Sequence, residues 1–269
     1  MAMRFGPAGY PEGSKTPQAG MDTVQRLGLD ALEIEFVRGV RISEEKAKAN
    51  GVLARNRNIR LSAHAPYFVS FNSDKPETRD KSVDYVVDTA RAAHLMGAYI
   101  IVIHAASYGK TPETATQSVI DGLNRCKEIL DSEGIKDVTL GIETMGKLGQ
   151  WGTLKEIAEV MEHVDGTAPV LDVAHTHARY HGSLKTEQDC RDLLDEFFPL
   201  AGDIAHFHIS CIKYGDKGEI SHLPLEAADP DMSVFARAVE NYDRDCTFIC
   251  ESPLQEKDAV VFKNMFTRL

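Results

Sequence analysis

The chain has 269 residues, of which 43% are hydrophobic and 26% charged, a composition typical of a globular protein. Its 41 acidic residues outnumber 30 lysines and arginines, giving a net charge of −11. This charge disfavours nonspecific binding to nucleic acid or to an anionic membrane, unless bound metals or a local basic loop offset it. No apolar run approaches a membrane span of ~20 residues, no signal core begins the chain, and the five cysteines form no CxxC pair. We therefore expect a cytoplasmic protein without membrane contact.

Eight short apolar or β-branched runs alternate with longer segments of helical period. The predicted strands cover residues 3–6, 31–36, 60–65, 99–104, 139–144, 170–175, 204–210 and 247–251. Apolar residues recur at helical spacing over 82–96, and Thr153 followed by Glu156 has the spacing of a capping box at a helix start. Residues 211–231 are the longest irregular stretch.

This alternation implies parallel strands joined by crossover helices, and eight such units favour a closed barrel over an open sheet. The sequence shows no linker, low-complexity tract or clear repeat. We predict an α/β protein with a (β/α)8 TIM-barrel fold and a single domain over residues 1–269.

Histidine or carboxylate side chains end six successive predicted strands. They are His64, His104, Glu143, Asp172 with His175, His206 with His208, and Glu251. A single such residue is more often an ordinary hydrogen-bonded side chain, but the C-terminal ends of barrel strands meet at one face, where charged groups must be paired or bind metal. The recurrence therefore predicts a metal site, and imidazole and carboxylate ligands without thiolate suit zinc, with manganese or iron as rivals.

The remaining histidines carry less information. His94 lies in a helical pattern, His163 near a helix end and His181 in a loop, so we interpret all three as structural or solvated, whereas His177 is ambiguous. His206 and His208 share one strand face because side chains alternate with period two, and the pattern alone does not rank them.

Two kinds of chemistry suit such a site. A carboxylate such as Glu143 can bridge two metals, which favours hydrolysis of a phosphate ester. A single metal that polarises a carbonyl, with a carboxylate that moves a proton, favours isomerisation of a sugar.

Seven short motifs carry a resemblance to a known family. They are H-A-P-Y at 64–67, I-H-A-A-S at 103–107, I-E-T at 142–144, L-D-V-A-H at 171–175, H-I-S at 208–210, S-H-L-P at 221–224 and C-E-S-P at 250–253. In this order they resemble the endonuclease IV family of apurinic/apyrimidinic endonucleases, within the wider xylose isomerase-like barrel group.

The resemblance implies two or three zinc ions, with Glu143 as the bridge between the first two and with Glu143 and Glu251 as the catalytic carboxylates. The implied ligands are His64 and His104 for the first ion, Asp172, His208 and Glu251 for the second, and His175 and His222 for the third. The family pattern favours His208 over His206.

The chain departs from the family pattern beside the third site. The family usually has an aspartate two residues before the histidine that matches His222, and Ile220 stands there. Glu219 lies one residue earlier, and the sequence leaves open whether it substitutes. Ser70 stands where the family generally has asparagine.

Contact with DNA rests on three residues. F-V-R-G-V-R-I at 36–42 matches a DNA-recognition loop of the family, which makes Arg38 and Arg41 candidate phosphate contacts, although a solvated loop is an equal alternative. Tyr67 falls where the family inserts a side chain into the duplex, and packing beside the barrel mouth is the alternative. Trp151 is interpreted as lining a DNA groove or a sugar pocket.

The resemblance predicts a zinc-dependent endonuclease that cleaves double-stranded DNA 5′ to abasic sites, with no protein partner implied. The alternatives are a metal-dependent sugar isomerase or epimerase of the same barrel group, and a noncatalytic member that binds damaged DNA.

Overall fold

The computed structural model describes residues 2–266; residue 1 and residues 267–269 of the predicted domain lie outside the described part. All eight predicted strands are present within it. They are β1 Met3–Pro7, β2 Ala31–Glu35, β3 Arg60–His64, β4 Ile100–Ile103, β5 Thr139–Glu143, β6 Thr167–Asp172, β7 Ile204–Ile209 and β8 Asp245–Cys250.

The eight strands form one sheet in the order β1-β8-β7-β6-β5-β4-β3-β2, so that each strand lies beside its neighbours in sequence. The pairs β1–β8, β8–β7, β7–β6, β5–β4 and β4–β3 are parallel. A parallel bridge between Ala8 and Glu33 joins the ends of β1 and β2, the two strands at the ends of this order. This strand order is that of the predicted (β/α)8 barrel.

Helices connect the strands, as the alternating pattern predicts. In the described residues they are α1 Pro17–Arg26, α2 Glu44–Asn56, α3 Pro76–Met96, α4 Ala115–Ser132, α5 Leu154–Met161, α6 Val173–Arg179, α7 Glu187–Phe197, α8 Met232–Val239 and α9 Glu256–Lys263. Across residues 2–266, no helix combines the length and the apolar character that crossing a bilayer requires.

The chain packs as two compact units. The first contains the residues up to Glu33, Met145–Leu148, and those from Val170 onward; the second contains Ile34–Thr144 and Gly149–Pro169. The assignment of the whole chain to one domain stays a prediction.

Aromatic packing fixes the strand faces in the first unit. Phe5 of β1 stacks on Phe248 of β8 with ring centroids 5.2 Å apart, and Phe248 stacks on Phe207 of β7 at 5.0 Å. Because side chains alternate along a strand, burying Phe207 on one face of β7 turns His206 and His208 to the opposite face. The core of the first unit thus decides where two of the candidate ligands point.

In the second unit the strands are buried on both faces. Every residue of β4 is buried, and apolar side chains of α3, including Val83, Val86 and Ala90, are buried as well. Such continuous burial is typical of a parallel strand covered by helices. It leaves the ends of β3, β4 and β5 as the positions where polar side chains can gather.

Two predicted features are wrong in detail. The strand predicted over 170–175 ends at Asp172, because the Asp172 carboxylate accepts a hydrogen bond from the His175 backbone N–H at 2.6 Å and caps α6. His175 therefore lies in a helix. The stretch 211–231, predicted as irregular, contains an antiparallel hairpin of Cys211–Gly215 and Gly218–Leu223.

The interpretation of Trp151 as a groove or pocket residue is also wrong. Its side chain is completely buried, and its indole N–H donates to the Thr116 hydroxyl at 3.0 Å. Trp151 is part of the core of the second unit.

The capping box predicted from Thr153 and Glu156 is present at the start of α5. The Glu156 carboxylate accepts from the backbone N–H groups of Thr153 and Gly152 at 2.8 and 3.2 Å, and from the Tyr108 hydroxyl at 2.7 Å. Partial burial raises the pKa of Glu156, but these hydrogen bonds outweigh it, so the pKa is lower than usual.

Glu156→Ala should therefore lower the free energy of unfolding by about 1–2 kcal/mol at neutral pH, since several donors lose their acceptor. Because the folded pKa is lowered, this stabilisation is present above the ordinary glutamate pKa of about 4.3 and is lost as the pH falls through the folded value. Urea denaturation at pH 7 and at acid pH measures both effects, with the exposed Glu159→Gln as the charge-matched control. Equal loss at both pH values would contradict this role of the carboxylate.

Candidate metal centre

Three predicted ligands meet at the ends of neighbouring strands in the second unit. His64 ends β3, His104 directly follows β4, and Glu143 ends β5. The Glu143 Oε2 atom lies 2.6 Å from His104 Nε2 and 3.3 Å from His64 Nε2. Glu143 and His64 are buried, whereas the His104 side chain is 18% exposed. These three side chains can hold a metal ion.

The hydrogen bonding of His64 tests whether a metal fits there. Its Nδ1 atom lies 2.7 Å from the carbonyl oxygen of Ala65, which only accepts, so Nδ1 carries the hydrogen. In the neutral ring, Nε2 then presents a lone pair to the Glu143 carboxylate. A lone pair that faces a carboxylate in a buried site requires a proton or a metal ion between the two atoms, so the donor set fits a metal ion.

Tyr67 lies beside this group, in the loop after β3. Its ring centroid is 4.9 Å from that of His64 and 5.0 Å from that of His104, and the residue is 46% exposed. An aromatic ring that covers two histidines and also faces solvent can contact a ligand that enters the group.

A second group lies in the first unit, where Asp172, His175 and His222 can hold a metal ion. Asp172 and His175 are placed by the cap of α6, and the rings of His175 and His222 lie 5.1 Å apart. The Ser210 hydroxyl is 2.6 Å from His222 Nδ1, which leaves Nε2 of that ring directed toward Glu251 Oε2 at 3.8 Å.

The hairpin that carries His222 contains a β-bulge at the position of the missing aspartate. Lys213 pairs with Ser221, and its neighbour Tyr214 pairs with Glu219, so Ile220 is the extra residue. The bulge places Glu219 on the same face as His222 and leaves Ile220 56% exposed. Glu219 Oε2 consequently lies 3.5 Å from His175 Nε2.

Space for Glu219 depends on a glycine in the neighbouring segment. A Cβ atom at Gly146 would lie 2.8 Å from the Glu219 Cβ atom and 3.0 Å from His175 Cδ2. Any larger residue at this position would displace the carboxylate or the imidazole. The close approach of Gly146 thus keeps these two side chains together.

A third group surrounds His208 in the first unit. His208 Nδ1 lies 3.4 Å from Glu251 Oε1, and its Nε2 lies 2.9 Å from Glu33 Oε1. The other oxygen of Glu33 accepts from His206 Nε2 at 3.1 Å. The structure therefore separates the two histidines that the sequence does not rank, because His208 faces both carboxylates and His206 contacts Glu33.

Glu33 is a site residue that the sequence pattern does not single out. It is completely buried in β2, and although burial alone would raise its pKa, its interactions with His208 and His206 lower that pKa well below its usual range. The sequence signal that could have indicated a site role for Glu33 is its position between Leu32 and Ile34 in an apolar strand, where a carboxylate is unusual.

Two other histidines pair with carboxylates outside these groups. His177 Nε2 lies 2.8 Å from Asp229 and its Nδ1 accepts from the Leu184 N–H at 3.1 Å, which is a structural role. His94 pairs with Asp137 at 2.7 Å. Arg38 and Arg41 are exposed in the loop after β2.

Residues 21–263 match the family described as xylose isomerase-like TIM barrel. The chain belongs to the xylose isomerase-like TIM barrel family. The match confirms both the predicted fold class and the predicted barrel group.

Relatives of this family member include proteins of two kinds. An uncharacterized protein of Methanocaldococcus jannaschii is 30% identical over 98% of this chain and 97% of its own length. A probable endonuclease 4 of Staphylococcus carnosus is 32% identical over 53% of this chain and 48% of its own length. The resemblance to endonuclease IV is thus confirmed, over about half of those relatives' length.

Solved structures of the family share the fold. Endonuclease IV from Thermus thermophilus has a TM-score of 0.76 and 21% identity, covering 97% of this chain and 98% of its own. A D-tagatose 3-epimerase-like protein has a TM-score of 0.72 and 19% identity, covering 98% and 95%. At these identities the likeness extends to the fold.

Proposed function

We propose that this protein is a zinc-dependent endonuclease that hydrolyses the phosphodiester bond 5′ to abasic sites in double-stranded DNA. The observation that carries the proposal is the convergence of His64 Nε2 and His104 Nε2 on one oxygen of Glu143. A second ligand group, Asp172 with His175 and His222, supports a cluster of several ions. The relatives named probable endonuclease 4 support the choice of substrate.

Metal ions bound at these groups would supply positive charge to a phosphate and lower the pKa of a water molecule. Different residues are assigned to each ion. His64, His104 and Glu143 would hold the first ion, and Asp172, His208 and Glu251 would hold the second. Manganese or iron are compatible with the same ligands.

In this proposal Glu251 also orients the nucleophile. Its two carboxylate oxygens lie 3.4 Å from His208 Nδ1 and 3.8 Å from His222 Nε2. A carboxylate between two imidazoles, with a side chain that remains 11% exposed, is able to accept a proton from a water that enters from solvent.

Glu219 completes the second group, beside His175, in the place of the family's aspartate. It approaches His175 Nε2 at 3.5 Å and shares the face of His222, so the bulge at Ile220 compensates for the departure in sequence. We therefore assign His175, Glu219 and His222 to the third ion.

Contact with DNA would come from the loops after β2 and β3. Arg38 and Arg41 are exposed and can neutralise phosphates locally despite the net charge of −11. The exposed ring of Tyr67, against His64 and His104, offers a surface on which a base or sugar can stack. Because none of the five cysteines forms a disulfide, a reducing cytoplasm is the proposed compartment.

The test is elemental analysis of protein purified without chelator, combined with incision of a duplex that carries one abasic site. Two or three zinc ions per chain and cleavage 5′ to the lesion would support the proposal. One metal without incision would favour the sugar isomerase or epimerase alternative, in which His64 and His104 bind substrate. Binding of the abasic duplex without turnover would indicate the noncatalytic alternative.

A further inference from the structure

The buried carboxylate of Glu33 lies between two histidines of β7. It is completely buried, and so are the rings of His206 and His208, which lie 5.4 Å apart. A carboxylate in such surroundings is costly unless positive or hydrogen-donating groups compensate it. The two imidazoles supply this compensation from one strand.

The contacts are divided between the two oxygens of Glu33. His206 Nε2 donates to Oε2 at 3.1 Å, which holds the carboxylate in one orientation. In that orientation Oε1 lies 2.9 Å from His208 Nε2. The opposite nitrogen of His208, Nδ1, faces Glu251 Oε1 at 3.4 Å.

We infer that Glu33 is a positioning residue that keeps the hydrogen of His208 on Nε2 and thereby presents the Nδ1 lone pair to the metal. His206 orients Glu33 in turn and is not itself a ligand. This inference rests on the metal role proposed for His208. Carboxylates that hold the second nitrogen of a metal-bound histidine fix its tautomer and the orientation of its ring.

The first test needs no metal. Long-range proton–nitrogen correlation spectra of the metal-free protein, labelled with 15N-histidine and assigned with His206→Gln, report which ring nitrogen carries hydrogen. Hydrogen on Nε2 of His208 is the expected result, and a loss of this preference is expected in Glu33→Gln. Hydrogen on Nδ1 of His208 in the wild-type protein would overturn the inference.

The second test measures zinc affinity by competition with a chelator of known strength. Glu33→Gln should weaken binding about 10- to 100-fold, the usual cost of losing such a partner. Asp258→Asn is the matched control, because Asp258 is also buried and accepts from the Ser252 hydroxyl and the Leu225 N–H, at 2.5 and 2.9 Å. Unchanged affinity in a folded Glu33→Gln protein would contradict the inference.

Two further results separate this inference from the proposed function. Loss of one zinc ion in His206→Gln would make Glu33, His206 and His208 a metal site and overturn the positioning role. If the wild-type protein binds no zinc, the proposed function fails, and the spectra of the metal-free protein still decide whether Glu33 sets the tautomer of His208.

Discussion

Replacing Glu143 by glutamine is expected to lower abasic-site incision about 1000-fold or more and to reduce the zinc content of the purified protein. The substitution keeps the volume of the side chain but removes the charge that both His64 and His104 face. A loss of this size corresponds to several kcal/mol of transition-state stabilisation, which is the contribution expected of a metal cluster. Single-turnover incision rates and elemental analysis measure the two effects.

Glu159→Gln is the control for this prediction, because it removes an exposed carboxylate of α5 in the same unit. It should leave incision and zinc content unchanged. Wild-type incision by Glu143→Gln would rule out Glu143 as a ligand of the ion that His64 and His104 face. Full zinc content with lost incision would instead restrict Glu143 to a role in the chemical step.

Replacing Glu219 by glutamine is expected to remove about one zinc ion per chain and to slow incision about 100-fold or more, because one ion that stabilises the phosphate is lost. The reason is geometric: the bulge turns Glu219, and not Ile220, toward His175 and His222. Elemental analysis measures the metal independently of any activity.

The neighbouring substitution Ile220→Asp is the matched comparison. Ile220 is 56% exposed, so an aspartate there should face solvent and add no zinc. A gain of one ion in Ile220→Asp, or full zinc content in Glu219→Gln, would show that the third site does not use Glu219.

The barrel could be predicted from the sequence because its signal is periodic and repeated. Each parallel strand is short and apolar, each ends close to a polar residue, and eight repetitions leave few other folds. His64 and Glu143 end strands in the structure, as the pattern predicts. Local signals such as the Thr153 capping box are confirmed for the same reason, since they depend on residues three positions apart.

What could not be predicted depends on contacts between distant residues. Glu33 is linked to His206 across 173 positions of sequence, and no local pattern encodes that contact. The indole of the buried Trp151 bonds to Thr116 of α4, 35 positions earlier in the sequence. The end of β6 at Asp172 depends on competition between a strand and a helix cap, where hydrophobic periodicity favours the strand.

The bulge in the hairpin has a consequence for how relatives of this protein are recognised. Side chains of a regular strand alternate between its two faces, and a bulge shifts this alternation by one residue. The number of residues between a side chain and a known ligand therefore no longer tells whether the two share a face. A search that requires an acidic residue two positions before His222 would reject this sequence, although a carboxylate stands beside the histidines in space. Families of this barrel are therefore better compared by which side chains share a strand face than by fixed spacing in an alignment.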